Sequence, residues 1–542
     1  MSEDLKERLN LPPLVTRILL SRGITTIEEV KKFLYPELKD LSDPYLLPDI
    51  ERAVERVVKA ITNREKICIY GDYDADGVTS VAICINFFKE LGFPVEFYIP
   101  TRNEGYGLNV NALSELKQRG IRLLIAVDLG SSNFEEIDFA KNLGIDTIVI
   151  DHHEVKECYP SARAFVNPKR RDSLFPTKDL AACGVTFFFL IALRRELMKK
   201  GIINHKINLR KELDLVALGT IADMVPLSGD NRIITKFGLE MMKKKPRQWL
   251  KSFYKSKILP DRRLDEFQMS FIVIPRINAP GRISHAAKSV EFLIQEDAEL
   301  SLLLLDELNE ANRIRQTVEE DILQDVSTII NEKELHKNKS LVLYDEGWHI
   351  GVIGIVAQKV AEMYNKPTII LTLVDGILKG SGRGVDGFDL YGSLSSMSHL
   401  LIKYGGHRYA CGLSLAPKNL ECFSEAFENA VSSFSCEKAK IFFDTEAEFD
   451  ELTGEAIRAL DLFGPFGLGN PYPRLLLYPD AVFESNGRLK IRDKKGRTWY
   501  GFFQKSCNHI PENVHGVIVS PVLKEELGEE FVYLLIRDIL GI

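Results

Sequence analysis

Residues 66–77 read KICIYGDYDADG. The run from Lys66 to Tyr70 is largely apolar and of strand length, and Gly71 ends it ahead of three aspartates, Asp72, Asp74 and Asp76. Three further segments have the same grammar. Asp128 follows Leu123-Leu124-Ile125-Ala126-Val127, Asp151-His152-His153 follows Asp146-Thr147-Ile148-Val149-Ile150, and Asp223 follows the apolar stretch Leu213 to Ala222. Four strand-like runs thus end in carboxylates or imidazoles. In an open α/β sheet chemistry collects at the carboxyl ends of parallel strands, so these side chains are expected to meet. Hard oxygen donors joined by imidazole suit one or two divalent cations such as Mn²⁺ or Mg²⁺.

Outward from this stretch the chain changes character several times. Residues 1–62 read as a helical segment, with short helices at 14–20, 26–33 and 49–61 between Pro and Asp punctuation. Residues 63–300 are expected to form the catalytic domain. Up to about 225, strands at 95–99, 123–127 and 147–150 alternate with helices at 79–91, 111–119 and 133–143, the pattern of a parallel, doubly wound α/β sheet. The segment 230–335 is mainly helical, with 301–335 as a charged connector helix. Residues 336–438 form a second α/β unit, with strand 341–344, helix 352–363 and strand 368–373. In 439–542 five short strands, at 482–484, 489–491, 499–503, 516–519 and 530–536, predict a small OB-like β-barrel.

At 542 residues the chain has room for about three or four domains. The formal net charge of −7 excludes a global basic footprint for nucleic acid, so any such path is a local stripe. Eight cysteines (Cys68, Cys84, Cys158, Cys183, Cys411, Cys422, Cys436, Cys507) contain no CxxC pair, which argues against a zinc ribbon or a thioredoxin-type site. The first residues lack an apolar signal core, and no run of about 18 apolar residues occurs. A cytoplasmic protein with no membrane segment is expected, with a monomer as the default state.

Each acidic cluster alone also fits an ordinary surface turn. Their conjunction at successive strand ends of one α/β unit is what marks a metal-dependent phosphoesterase. GDYDADGVTS (71–80), VDLG (127–130), DHHE (151–154) and ALGTIADMVPL (217–227) resemble, in order, the motifs of the DHH phosphoesterase superfamily, and within it the RecJ family of bacterial exonucleases. RINAPGR (276–282), LNEANRIRQ (308–316), GWHIGVIGIVA (347–357), GSGRG (380–384), GGHRYACGLSL (405–415) and GPFGLGNPYP (464–473) extend the likeness over nearly the whole chain.

The resemblance implies a 5′→3′ exonuclease on single-stranded DNA that releases 5′-mononucleotides in DNA repair and recombination. It implies two ions, Mn²⁺ or Mg²⁺. Asp76, Asp128, His152 and Asp223 hold one, Asp74 and the bridging Asp128 the other, and Asp72 assists the second. His153 lies beside the scissile phosphate and steadies its charge, protonates the leaving group, or orients its neighbours. The second α/β unit corresponds to the DHH-associated domain, facing the metals across a cleft. There Ser381 and Arg383, with the backbone amides of 380–384, join Arg276 and Arg282 in taking the 5′-terminal phosphate. His407 is placed near the scissile phosphate, a core histidine being the alternative. Arg102 and Tyr106 correspond to a DNA-gripping segment, although their spacing is one residue shorter than usual. Leu129, Ser131 and Gly384 are milder departures. A single-strand-binding protein and a helicase are partners of the kind the family implies.

In the last segment Trp499, Tyr500, Phe502 and Phe503 follow Arg488, Lys490, Arg492, Lys494 and Lys495, a mixture that suits single strands. Alternation along a strand turns about half of those rings into the core. Two other readings remain: a phosphodiesterase for short oligonucleotides or cyclic dinucleotides, which has no need of the C-terminal barrel, and a non-catalytic DNA-binding relative, which is expected to lack the metal carboxylates present here.

Overall fold

The structure is a computed structural model that describes residues 11–205, 207–260, 264–433, 442–485, 488–503, 510–511, 513–526 and 529–541. Cys436, Cys507 and the side chain of Arg488 lie outside the described residues. Helices α1 (Pro13–Ser21), α2 (Ile27–Leu34) and α3 (Ile50–Thr62) open the chain. Strand β1 (Ile67–Gly71) then begins a five-stranded sheet with β2 (Glu96–Tyr98), β3 (Leu123–Val127), β4 (Asp146–Ile150) and β5 (Ala164–Val166), in the order β2-β1-β3-β4-β5. All its ladders are parallel.

Both faces of this sheet are covered, which is why its strands read as continuous apolar runs. Ile67, Ile69, Leu123, Ile125 and Ile148 pack with α3, α4 (Ala75–Leu91) and α7 (Ala182–Lys199). Cys68, Tyr70, Leu124, Ala126 and Val149 face α5 (Val110–Gln118) and α6 (Phe134–Asn142). The chain leaves β1 for β2 on one side and returns to β3 on the other. The strand order therefore reverses between β1 and β3, and a crevice opens at their carboxyl ends.

One run differs from its sequence reading. Leu213–Ala222, expected as a strand ending at Asp223, is helix α8, with nearly every residue buried. A ten-residue run with only Asp214 and Thr220 polar, both buried, has no face to betray a helical period, and periodicity alone cannot separate a buried helix from a buried strand. Helix α9 (Gly229–Lys244) packs on it, and α10 (Ile274–Ile283) lies further along. The connector is α11 (Ala298–Glu332), capped by Asp297, with Leu305, Leu308, Ile322, Val326 and Ile330 buried at helical spacing.

The second sheet runs β6 (Leu341–Tyr344), β7 (Thr368–Val374), β8 (Ile377–Arg383), β10 (Ala410–Leu415), β9 (Lys403–His407), with α12 (Ile353–Tyr364) packed against β7 and β8. Only its β6–β7 ladder is parallel. The third sheet has seven strands: β11 (Thr445–Glu446), β12 (Leu475–Leu477), β13 (Ala481–Ser485), β14 (Arg488–Arg492), β15 (Thr498–Phe503), β16 (Val514–Glu526) and β17 (Glu529–Gly541). Their order, β11-β12-β16-β17-β15-β14-β13, is OB-like, but among the described residues no ladder joins β13 back to close a barrel. The last two strands are 13 residues each, far longer than their apolar centres announce. Trp499 and Phe503 pack toward the core, whereas Tyr500 is 42% exposed on the other face.

The opening helices are divided between two cores. Helix α3 belongs to the parallel sheet. Val15, Ile18 and Leu19 of α1 and Val30 and Leu34 of α2 pack instead with Leu475, Val519 and Leu534 of the C-terminal sheet and with Phe449 beside it. Arg17 pairs with Glu451 at 2.8 Å and Arg22 with Asp444 at 2.7 Å. Arg232 of α9 locks this unit to the first, donating to the carbonyls of Phe33 and, at 2.7 Å, Phe463.

Candidate functional site

The loop after β1 delivers three carboxylates. Asp74 caps α4, its Oδ1 accepting from the amides of Asp76 (3.0 Å) and Gly77 (3.1 Å). Asp76 points to the amino end of α7 and accepts from the Ala182 and Cys183 amides at 2.7 and 2.8 Å. A Cβ on Gly77 would lie 2.6–2.8 Å from the Asp72 backbone, so only glycine lets the loop fold this tightly. Asp128, just past β3, sits in the left-handed region at φ 63°. Asp151 organises the loop after β4: its Oδ2 accepts from the Ser131 amide (2.9 Å), and its Oδ1 from the His152 amide (2.8 Å). Asp223 arrives from the end of α8, not from a strand.

These elements converge. His152 Nε2 lies 3.3 Å from Asp128 Oδ1 and 3.9 Å from Asp76 Oδ2, while its Nδ1 is 3.5 Å from Asp223 Oδ2. Donor atoms of Asp76, His152 and Asp223 fall within 4.8 Å of one another, and so do those of Asp72, Asp74 and Asp128. Asp128, Asp151, His152 and His153 form a third such group. Asp128 is thus shared between neighbouring donor groups.

The electrostatics show what the cluster lacks. Burial first, then the neighbouring carboxylates, pushes Asp76 up to about 6 and holds Asp72, Asp128 and Asp223 well above the usual carboxylate range. Asp72 Oδ1 is buried without a hydrogen-bond partner among the described residues. Gathering such groups without a compensating cation is costly. Burial and the charge of His153 push His152 down to about 3, so its ring is neutral and keeps a lone pair to donate. Burial also opposes charge on His153, but Asp151 Oδ1, 2.7 Å from its Nδ1, holds it up at about 9. The donors therefore fit divalent cations with oxygen-rich shells.

Tyr106 is 46% exposed, yet its hydroxyl reaches into the cluster, donating to the Asp128 carbonyl at 3.3 Å and lying 3.1 Å from His153 Nε2. Arg102 turns away from solvent. Its Nε donates to the Gly281 carbonyl at 2.9 Å, and its guanidinium lies 4.2 Å from the Tyr73 ring centroid.

The second unit faces this cluster with positive charge. Arg282, at the end of α10, reaches it by donating to the Gly351 carbonyl at 3.2 Å, and is pushed down to about 10 by burial and then by Arg102 and Arg315. Arg383 donates to Ser381 Oγ at 2.9 Å. The expectation that the amides of 380–384 offer an anion nest fails: the Gly384 amide donates to the Tyr409 carbonyl at 2.8 Å, and those of 380–383 are taken as well. They lie in β8, whose two edges are paired with β7 and β10, so the ladders consume those backbone groups. Arg276 is occupied as well, with Asn309 Oδ1 at 2.8 Å and the Ile272 carbonyl at 2.6 Å. His407 is exposed on the edge strand β9 rather than in a core. Its pKa is lowered by partial burial first and then by Lys169 of the opposite unit.

Sequence reading passed over Asp151 as a side chain in its own right, and Asn167 and Lys169 altogether. The last two follow β5, a strand of three residues, too short to announce itself. The rule that found the other loops finds them once that strand is seen.

Residues 66–220 match the DHH family, N-terminal domain, and residues 337–433 the DHHA1 domain. The single-stranded-DNA-specific exonuclease RecJ of Escherichia coli (strain K12) is 32% identical over 497 residues, covering 88% of this chain and 84% of that protein. The chain belongs to the RecJ family. The RecJ of Bacillus subtilis (strain 168) is 36% identical over 488 residues, 89% of this chain, and this match spans only 60% of that longer relative. The crystal structure of RecJ in complex with Mn²⁺ from Thermus thermophilus superposes with a TM-score of 0.84 at 26% identity, covering 100% of this chain and 78% of that one. RecJ architecture thus extends through all three sheets. Among the described residues no helix is long and apolar enough to cross a membrane.

Proposed function

We propose that the chain is a two-metal exonuclease that degrades single-stranded DNA from the 5′ end and releases 5′-mononucleotides. The observation that carries this reading is the pair of donor groups meeting at Asp128, Asp76/His152/Asp223 on one side and Asp72/Asp74 on the other. Asp76, Asp128, His152 and Asp223 hold one ion, and Asp74 and Asp128, with Asp72, the second. When bound, such ions neutralise the phosphate and supply a water acidic enough to attack near neutral pH. The protein's own groups do the rest. Charged His153, fixed by Asp151, faces the scissile phosphate and has a proton for the leaving oxygen. His407 approaches from the opposite unit.

Polarity is assigned to Arg282, Ser381 and Arg383, which grip a terminal 5′-phosphate; Arg276 stands behind them and fixes α10 to α11 through Asn309. Tyr106 meets the terminal nucleotide beside the metals. The strand then runs over the open face of the C-terminal sheet, where Tyr500, Phe483 and Phe531 are exposed and Lys524 Nζ lies 4.6 Å from the Phe502 ring centroid. The relatives' names, single-stranded-DNA-specific exonuclease, support the substrate, as does the manganese-bound relative for the metal. The test is a time course with Mn²⁺ on a single-stranded oligonucleotide labelled at its 3′ end. A ladder that shortens from the 5′ end while the matching duplex is spared is the expected result. Cleavage of very short oligonucleotides alone overturns the reading.

A further inference from the structure

Lys169 lies just past β5, at the same end of the sheet as the metal loops. Its neighbours in the basic run 169–171 are otherwise engaged or remote: Arg170 is tied to Asp49, Asp172 and the Phe165 carbonyl, and Arg171 points to solvent. Lys169 is held in register with the catalytic loop by one buried side chain. Asn167 Oδ1 accepts from the Lys169 amide at 2.8 Å, and Asn167 Nδ2 donates to the His153 carbonyl at 3.0 Å and to Ser131 Oγ at 3.1 Å. The aliphatic stem is sheltered, the side chain being 19% exposed, so the ammonium is placed before any ligand arrives.

The ammonium's partners are exchangeable. Nζ lies 2.9 Å from Glu154 Oε1 and 3.8 Å from Asp179 Oδ1, carboxylates that are 67% and 59% exposed. Such solvent-screened pairs hold weakly. A cation tied to the catalytic loop through Asn167, and paired among the described residues with surface carboxylates, is poised for a polyanion passing over that loop.

We propose that Lys169 contacts a backbone phosphate of the bound strand, and that Glu154 occupies its ammonium until the phosphate displaces it. The proposal rests on the nuclease reading for its ligand, a nucleic-acid phosphodiester. Glu154 thereby sets a threshold for entry, which favours chains of adjacent phosphates over lone anions.

The test is fluorescence anisotropy of a labelled, 5′-phosphorylated oligothymidylate in EDTA over a range of salt, with wild type and the variants Lys169→Met, Lys169→Arg and Glu154→Gln. Expected for Lys169→Met is severalfold weaker binding and a slope of log affinity against log salt shallower by about 0.7, one single-strand phosphate contact. Lys169→Arg keeps the wild-type slope, and Glu154→Gln tightens binding. An unchanged slope in Lys169→Met, or weaker binding in Glu154→Gln, overturns the proposal and leaves the pair a structural one. Addition of Mn²⁺ separates the two readings: wild-type binding without degradation sinks the nuclease assignment alone, because the binding arm holds no metal. Absence of wild-type binding sinks both.

Discussion

His152 Nε2 lies 3.3 Å from Asp128 Oδ1, and Asp128 in turn belongs to the donor group of Asp72 and Asp74. One carboxylate therefore links both halves of the centre. Asp128→Ala is expected to cut hydrolysis by on the order of a hundredfold or more, as loss of a preorganised transition-state partner does. The fold should persist, because the variant also removes a buried charge that its neighbours repel. Turnover of a single strand and thermal melting, measured together, check both halves.

The same repulsion makes metal-free stability depend on pH. Asp76, raised to about 6 by burial and Asp74, binds its proton more tightly folded than unfolded, where a carboxyl titrates near about 4. The contribution of Asp76 to stability in EDTA is thus fully present below about pH 4 and is lost as pH rises through about 6. Asp72, Asp128 and Asp223, shifted the same way, extend the fall to higher pH. The gain in Tm on adding Mn²⁺ should be larger at about pH 8 than at about pH 5.5. A gain independent of pH contradicts the assignment of these four as ligands.

Arg383→Ala is expected to weaken capture of 5′-phosphorylated ends by about tenfold, the loss of one charged hydrogen bond, and to spare 5′-hydroxyl ends. Competition between the two substrates reads the difference. Equal losses place the terminal phosphate elsewhere.

A Cβ on Gly281 would sit 2.2 Å from the Tyr73 carbonyl oxygen, a backbone atom that no rotamer change can move. Gly281→Ala therefore pushes the loop bearing Asp72 and Asp74 away from α10, which carries Arg282. A loss of about 1–3 kcal/mol of stability is expected from the overpacking. The Mn²⁺ concentration for half-maximal activity should rise with it, which a kinetic titration measures.

Much of this was legible beforehand because the site obeys a positional rule. Asp74, Asp76, Asp128 and His152 each follow a strand whose apolar run is unbroken, and β3 spans Leu123–Val127 as its letters say. Asp223 was found for the wrong reason, since a helix buried on all sides spells the same apolar run as a strand. The GSGRG segment shows the opposite error. Its amides are read as an anion-binding set, yet Gly380 and Gly382 lie in a central strand where small residues let Leu371 and Leu390 pack close. Lys169 stayed hidden behind a three-residue strand, and the inward turn of Arg102 depends on Tyr73 and Gly281, a contact no local pattern encodes.

Arg17 and Glu451 are 434 positions apart, and among the described residues α1 and α2 find their apolar partners in the C-terminal unit. On the ribosome these two helices are made well before that unit and must wait, with their apolar faces unpartnered, until its strands emerge. The parallel sheet can assemble in the meantime, since α3 and every strand it needs are already synthesised. Removing α1 and α2 should therefore injure the C-terminal unit, while the metal loops, which lie between, keep their own core.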